Sequence, residues 1–173
     1  MPTTPIQENV GNGIGTLPAD LRSWWSEAEL VRRAFEAARL IAGRELGASD
    51  IHGVSFDAAS QAVMLPLLTY CYLVGHRSSE DIEWAIETDP TVRGICKQTR
   101  LDSTMIREFR RAHRHQIEQS IVHVLMGDIL QSLASPNNSV PCTATPAEAH
   151  ATALSWTRQK MDLAMMMDAS ASD

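Results

Sequence analysis

The chain has 173 residues, 44% of them hydrophobic, and a formal net charge of −6. This length allows one sizeable core rather than two full domains, and the many Ala, Leu and Met residues favour helix over sheet. No basic, apolar leader and no membrane-spanning run is apparent, so we expect neither a signal peptide nor a membrane partner. The odd number of cysteines, three, argues against a disulfide framework and favours a reducing compartment, the bacterial cytoplasm.

The first predicted helices follow a lead, residues 1–18, whose Pro and Gly content predicts disorder. Asp20 can cap a first helix to about Leu46, and helical spacing predicts that its Trp-rich stripe is buried. That stripe consists of Leu21, Trp24, Trp25, Ala28, Val31, Phe35, Ala38 and Ile41. A second helix, from Phe56 and Asp57 to Gly75, is apolar nearly all round, so we expect it at the centre of the fold.

Two short helices around a tight turn are predicted next. Ser78 can cap the first of them, and Asp81 can return a hydrogen bond in the manner of a capping box. Pro90 suits the first position of the second helix, which runs to about Cys96. Such a pair is similar to a helix-turn-helix.

The longest predicted helix opens at Asp102 or Ser103 and reaches about Leu133. It is both amphipathic and basic. Residues 97–115 contain six basic side chains and two acidic ones, a local surplus of four positive charges in a chain whose remainder carries −10. This asymmetry is typical of a local nucleic-acid footprint, although a solvated basic helix face explains the same charges.

The predicted fold is therefore all-α, a compact bundle of about five to six helices with a helix-turn-helix-like segment and a long basic amphipathic helix towards the C-terminus. We assign the bundle to residues 19–134, a Pro-punctuated linker to 135–146, and a last helix with a frayed, Met-rich tail to 147–173. Thr145 or Pro146 can begin that last helix. The sequence leaves open whether the helix at residues 19–46 shares the same core.

Two landmarks within residues 63–119 carry a family resemblance. Gly75-His76-Arg77-Ser78 with Ile82 follows the apolar helix, and Asp102-Ser103-Thr104-Met105-Ile106 with Phe109-Arg110 opens the basic one. Together they resemble the helical N-terminal module of bacterial insertion-sequence DDE transposases, over about a third of the chain. The resemblance implies a module that recognises the ends of an insertion element in double-stranded DNA and helps to assemble the synapse.

Catalytic residues are not expected. The family continues into a strand that carries its first catalytic aspartate, and no such strand follows Leu133. We therefore predict no enzyme activity, no metal ligand and no cofactor. His113 and His115 are two positions apart, which on a helix directs them away from each other. Cys96 beside Lys97 is left as an alternative, a thiol perturbed by a cation.

The candidate DNA contacts lie on the basic helix and just before it. First-turn hydroxyls and free N–H groups can receive a phosphate, and arginines can contact phosphates or guanine edges. The predicted contacts are Lys97, Arg100, Ser103, Thr104, Arg107, Arg110, Arg111 and Arg114. The alternative is that Arg110 or Arg111 pairs with Glu80, Asp81 or Glu83 and braces the bundle.

Two other functions stay open. The acidic remainder, the Trp stripe and the Met-rich tail also fit a protein-interaction module that forms a homodimer or docks on a full-length transposase. A truncated transposase that has lost its function is the other alternative.

Overall fold

The computed structural model describes residues 17–45, 58–97, 99–134 and 145–171, and these ranges contain helices but no strand. The all-α prediction is confirmed. Within the described ranges, a 3₁₀ turn at Leu21–Ser23 is followed by seven α-helices, more than the five to six expected. The helices are α1 (Glu27–Glu45), α2 (Ala58–Val74), α3 (Ser79–Thr88), α4 (Pro90–Cys96), α5 (Ser103–Ala112), α6 (Arg114–Ala134) and α7 (Pro146–Ser170). Most of the predicted lead and linker lies outside the described residues.

Helix α2 lies at the centre, as its all-round apolar sequence predicts. Every residue from Val63 to Val74 is buried, and α1, α4 and α6 pack around it. The polar side chain of Thr69 is accommodated by hydrogen bonds, because its Oγ1 lies 2.8 Å from the Leu65 carbonyl oxygen and 2.8 Å from Ser120 Oγ on α6. A hydroxyl pair thus joins the two helices inside the core without leaving a polar atom unsatisfied.

The first helix starts later than predicted. Asp20 caps only the 3₁₀ turn, where its carboxylate accepts the Arg22 N–H at 2.8 Å. The α-helix begins at Glu27 because Ser26 offers a second start, its Oγ accepting the Glu29 N–H at 3.3 Å.

This delayed start changes which residues of the first helix are buried. Trp24 lies before α1 and is 49% exposed, and Ala28 in the first turn is exposed too, so the predicted burial of both was wrong. The buried face of α1 is built from smaller side chains, namely Leu30, Ala34, Ala37, Ala38 and Ile41. Because α1 packs against both α2 and α6, it belongs to the same core as the rest of the bundle.

Helices α3 and α4 begin as predicted but join more tightly. Ser78 Oγ accepts the Asp81 N–H at 3.0 Å, whereas the Asp81 carboxylate accepts the Arg77 N–H at 3.1 Å instead of closing a capping box on Ser78. Asp89 alone separates the two helices and caps α4 by accepting the Thr91 N–H at 2.7 Å. This connection is shorter than the turn of about three or four residues in a helix-turn-helix.

The predicted long basic helix is two helices, which was the error in the helix count. Its path breaks at His113, whose φ of −116° and ψ of 26° depart from helical values. The His113 N–H donates to the Phe109 carbonyl at 2.8 Å, and the His113 carbonyl accepts the Ile117 N–H at 3.1 Å. One residue therefore closes α5 and opens α6.

Helix α7 begins where the sequence predicts and extends to Ser170. Thr145 and Glu148 form a capping box, with the Thr145 N–H donating to Glu148 Oε2 at 2.6 Å and the Glu148 N–H donating to Thr145 Oγ1 at 3.3 Å. The helix packs along α6 and reaches α3 at its far end. That position brings α7 against the arginines predicted to contact DNA.

Candidate nucleic-acid interface

The eight predicted DNA contacts fall into two groups. Four side chains are exposed, and we call them the outer basic surface: Lys97, Arg100, Thr104 and Arg111. The other four are partly or fully buried: Ser103, Arg107, Arg110 and Arg114.

The outer basic surface follows from the turn after α4 and from the spacing along α5. Lys97 ends α4 with a φ of 55°, the one positive φ among the described non-glycine residues. On α5, Thr104 and Arg111 are seven residues apart, so they share one helix face at an axial separation of about 10 Å. The exposed Glu108 lies between them on that face and reduces its positive charge.

The N-terminus of α5, where a phosphate was expected, carries two carboxylates of the protein itself. The Ser103 N–H donates to Glu83 Oε2 of α3 at 3.2 Å. Asp102 Oδ1 accepts the Met105 N–H at 2.8 Å. These contacts satisfy two of the four N–H groups that a helix start leaves open.

Arg107 joins α5 to α3. Its Nη2 lies 2.5 Å from Glu80 Oε1, and the arginine is half-buried. The alternative predicted from the sequence was such a brace from Arg110 or Arg111 to the acids of α3. The structure forms one, but through Arg107.

Arg110 is only 1% exposed and forms an ion pair with the Asp168 carboxylate of α7. Its Nη2 donates to the Arg77 carbonyl oxygen at 2.8 Å, and its guanidinium lies 5.5 Å from the centre of the Tyr72 ring. In this position the guanidinium is out of reach of a phosphate at the protein surface. It braces the bundle from the inside.

Asp168 accepts hydrogen bonds from α3 as well as from Arg110. The Ser79 N–H donates to its Oδ1 at 2.8 Å and the Ser79 hydroxyl donates to its Oδ2 at 2.9 Å. The carboxylate thereby contacts both the N-terminus of α3 and the Arg110 guanidinium. We did not expect this role for Asp168 from the sequence, because no local pattern links it to a serine 89 residues away.

Arg114, at the start of α6, contacts the same end of α7. Its Nη2 lies 2.5 Å from Asp162 Oδ1, and its Nη1 lies 3.0 Å from Met165 Sδ. Both charged side chains of this pair remain accessible to solvent. Two of the predicted DNA contacts, Arg110 and Arg114, are thus paired with carboxylates of α7.

The groups considered for other chemistry are buried or dispersed. Burial raises the pKa of the Cys71 thiol and raises the pKa of Cys96 to about 11, the opposite of activation by a neighbouring cation. His113 packs on the Phe109 ring, with 4.3 Å between centroids. Within the described ranges, no three His, Cys, Asp or Glu side chains are grouped to hold a metal ion. No helix in those ranges is long and apolar enough to cross a membrane.

No protein-family model, curated protein or solved structure matches this chain. The resemblance to transposase N-terminal modules therefore stays a prediction from the two landmarks. The placement of the arginines carries the functional argument.

The buried pair predicts a large and specific loss of stability. Arg110→Met leaves Asp168 buried without its cation, so we expect the free energy of unfolding to fall by about 3–5 kcal/mol. The matched control is Arg32→Met on α1, which removes an exposed partner of the exposed Glu36 and is expected to change the free energy of unfolding far less. Urea denaturation followed by circular dichroism measures both. Equal losses in the two variants would show that the buried pair is not a brace.

Cys96 is predicted to be unreactive in the folded protein. With its pKa raised from 9.0 to about 11, its thiolate fraction near neutral pH is roughly a hundredfold below that of an exposed thiol. Iodoacetamide labelling, quantified by mass spectrometry of the Cys96 peptide, should be slow in buffer and fast in urea. Rapid labelling of the folded protein would instead mark Cys96 as an activated thiol.

Proposed function

We propose that this chain is a non-catalytic DNA-binding and assembly module of the insertion-sequence transposase type, which contacts duplex DNA through its outer basic surface. The observation that carries the proposal is the exposure of Lys97, Arg100 and Arg111 within residues 97–115, which carry a surplus of four positive charges. The order of the two landmarks, Gly75-His76-Arg77-Ser78 and the Asp102 segment, supports a role at element ends.

Helix α5 divides its side chains between two tasks. Ile106, Phe109 and Arg110 face the interior, while Thr104 and Arg111 face solvent. Exposed arginines can position the protein on phosphates, and the Thr104 hydroxyl can donate to a phosphate oxygen. Three cations are few, so the proposed binding is modest and strongly dependent on salt.

The proposal predicts a defined salt dependence. Three phosphate contacts give a slope of about −2.7 for the logarithm of the affinity against the logarithm of the salt concentration. Replacing Lys97, Arg100 and Arg111 together by Ala should bring that slope close to zero because those contacts are lost. Fluorescence anisotropy with a labelled duplex over a salt series measures the slope.

A matched control variant shows whether the salt slope depends on contacts made by Lys97, Arg100 and Arg111 or on the net charge of the protein. Replacing Arg32, Arg39 and Arg158 by Ala removes three exposed cations elsewhere on the bundle and should leave most of the slope intact. If the wild type does not bind duplex DNA at low salt, or if both triple variants lose binding equally, the proposed interface is wrong.

A second candidate function is self-association. Large apolar side chains are exposed, above all Trp84 (62%) and Met166 (63%), together with the partly exposed Trp24 and Leu40. Exposed apolar area of this kind can stabilise contacts between protein surfaces.

Self-association predicts a sedimentation coefficient that rises with protein concentration. The double variant Trp84→Ala, Met166→Ala should show a smaller rise because its exposed apolar area is smaller. The triple variant at Lys97, Arg100 and Arg111 should behave as the wild type. Sedimentation velocity over a micromolar series measures this dependence. A strict monomer throughout the series contradicts a dimerisation module.

A further inference from the structure

The C-terminal end of α7 is attached to the bundle mainly by polar contacts. Its buried apolar side chains end at Ala164, and they are Ala149, Ala153, Trp156, Met161 and Ala164. Beyond that point, among the residues described to Ala171, the one buried side chain is the carboxylate of Asp168. Met166 and Met167, the two residues just before Asp168, face solvent. Separation of residues 162–170 therefore exposes one fully buried apolar side chain, Ala164, and leaves the rest of the buried apolar contact of α7 in place.

The groups that hold this segment are also those that hold phosphates. Asp168 is bound by the N–H of a helix N-terminus, a serine hydroxyl and the Arg110 guanidinium. Helix N-termini, hydroxyls and arginines are the usual protein donors to a phosphate oxygen. Asp162 similarly forms an ion pair with Arg114. Two α7 carboxylates are thus placed where phosphates could bind.

We propose that residues 162–170 are an electrostatic latch that competes with duplex DNA for Arg110 and Arg114. With the latch closed, DNA contacts only the outer basic surface. With it open, the two guanidinium groups and the Ser79 donors become available to DNA phosphates. This inference rests on the proposed function and extends it, because it makes affinity depend on an internal competitor. The coupling is reciprocal, so bound DNA also weakens the docking of the latch.

The first test uses Asp162→Asn in the full chain. This variant frees Arg114 from a solvent-accessible pair and removes no buried group. Affinity for a labelled DNA duplex should rise roughly threefold to tenfold, and the salt slope should steepen by about 0.9 for one added phosphate contact. The matched control is Glu36→Gln on α1, which releases one contact of the exposed Arg32 and changes the net charge by the same amount. It should change affinity less than twofold.

The second test concerns the buried contacts of Asp168 with Arg110 and Ser79. Asp168→Asn keeps the shape of the side chain and removes its charge, and circular dichroism checks that the bundle stays folded. Its affinity should rise at least as much as that of Asp162→Asn. In the wild type, saturating duplex DNA should speed amide hydrogen exchange in residues 162–170 and leave the apolar docking segment, 149–161, protected.

The outcomes separate the two proposals. If the wild type binds DNA, but both latch variants match Glu36→Gln and exchange in residues 162–170 does not rise, the latch is wrong and the DNA-binding proposal stands. If neither the wild type nor Asp162→Asn binds DNA at low salt, both proposals fail. Binding by Asp162→Asn but not by the wild type supports the latch and contradicts the outer basic surface as the interface of the closed state.

Discussion

The arrangement of α3, α5 and α7 depends on one buried ion pair, Arg110 with Asp168. Removing both charges from water costs several kcal/mol per ion, and their attraction offsets this only when further hydrogen bonds satisfy the remaining donors and acceptors. Here the Arg77 carbonyl and the Ser79 N–H and hydroxyl supply them. Arg110 Nε lacks a hydrogen-bond partner, a cost that the nearby Tyr72 ring offsets in part. Because the pair is satisfied only in this geometry, it fixes the three helices relative to one another.

The sequence predicts the local features of this fold well because their causes are local. The helix starts at Ser78, Pro90, Asp102 and Thr145 each depend on a side chain within three residues of the N–H that it caps. The central position of α2 follows from its all-round apolar composition. The break at His113 escaped prediction, because the apolar spacing continues through it and no Gly or Pro marks it. The ion pair of Arg110 was not predicted either, because Asp168 lies 58 residues away and nothing in the sequence distinguishes it from the exposed acidic residues of the chain.

At the candidate site, too, the local features were predictable from the sequence and the tertiary contacts were not. A count of charges in residues 97–115 treats every cation as available, yet neighbouring residues on a helix point about 100° apart. Arg111 consequently faces solvent while Arg110 faces the core. Arg107 and Arg114 are next to acids that other helices bring to them, Glu80 and Asp162. Which arginines remain exposed is decided by tertiary packing, and the local charge surplus in the sequence therefore exceeds the charge presented at the surface.

In the proposed latch the same arginines serve folding and DNA binding, and this has a consequence for the effect of salt. The Arg114–Asp162 pair is accessible to solvent, so ions screen it over a Debye length of about 8 Å at physiological ionic strength. The Arg110–Asp168 pair is buried and is screened far less. Added salt therefore loosens the outer attachment of the latch before the inner one. Added salt also weakens the contacts that Arg114 can make with DNA phosphates, so salt alone does not raise the affinity for DNA. In the proposed latch, a gain in affinity for DNA requires a change in the competing carboxylates themselves. These are Asp162 and Asp168, on the last turns of α7.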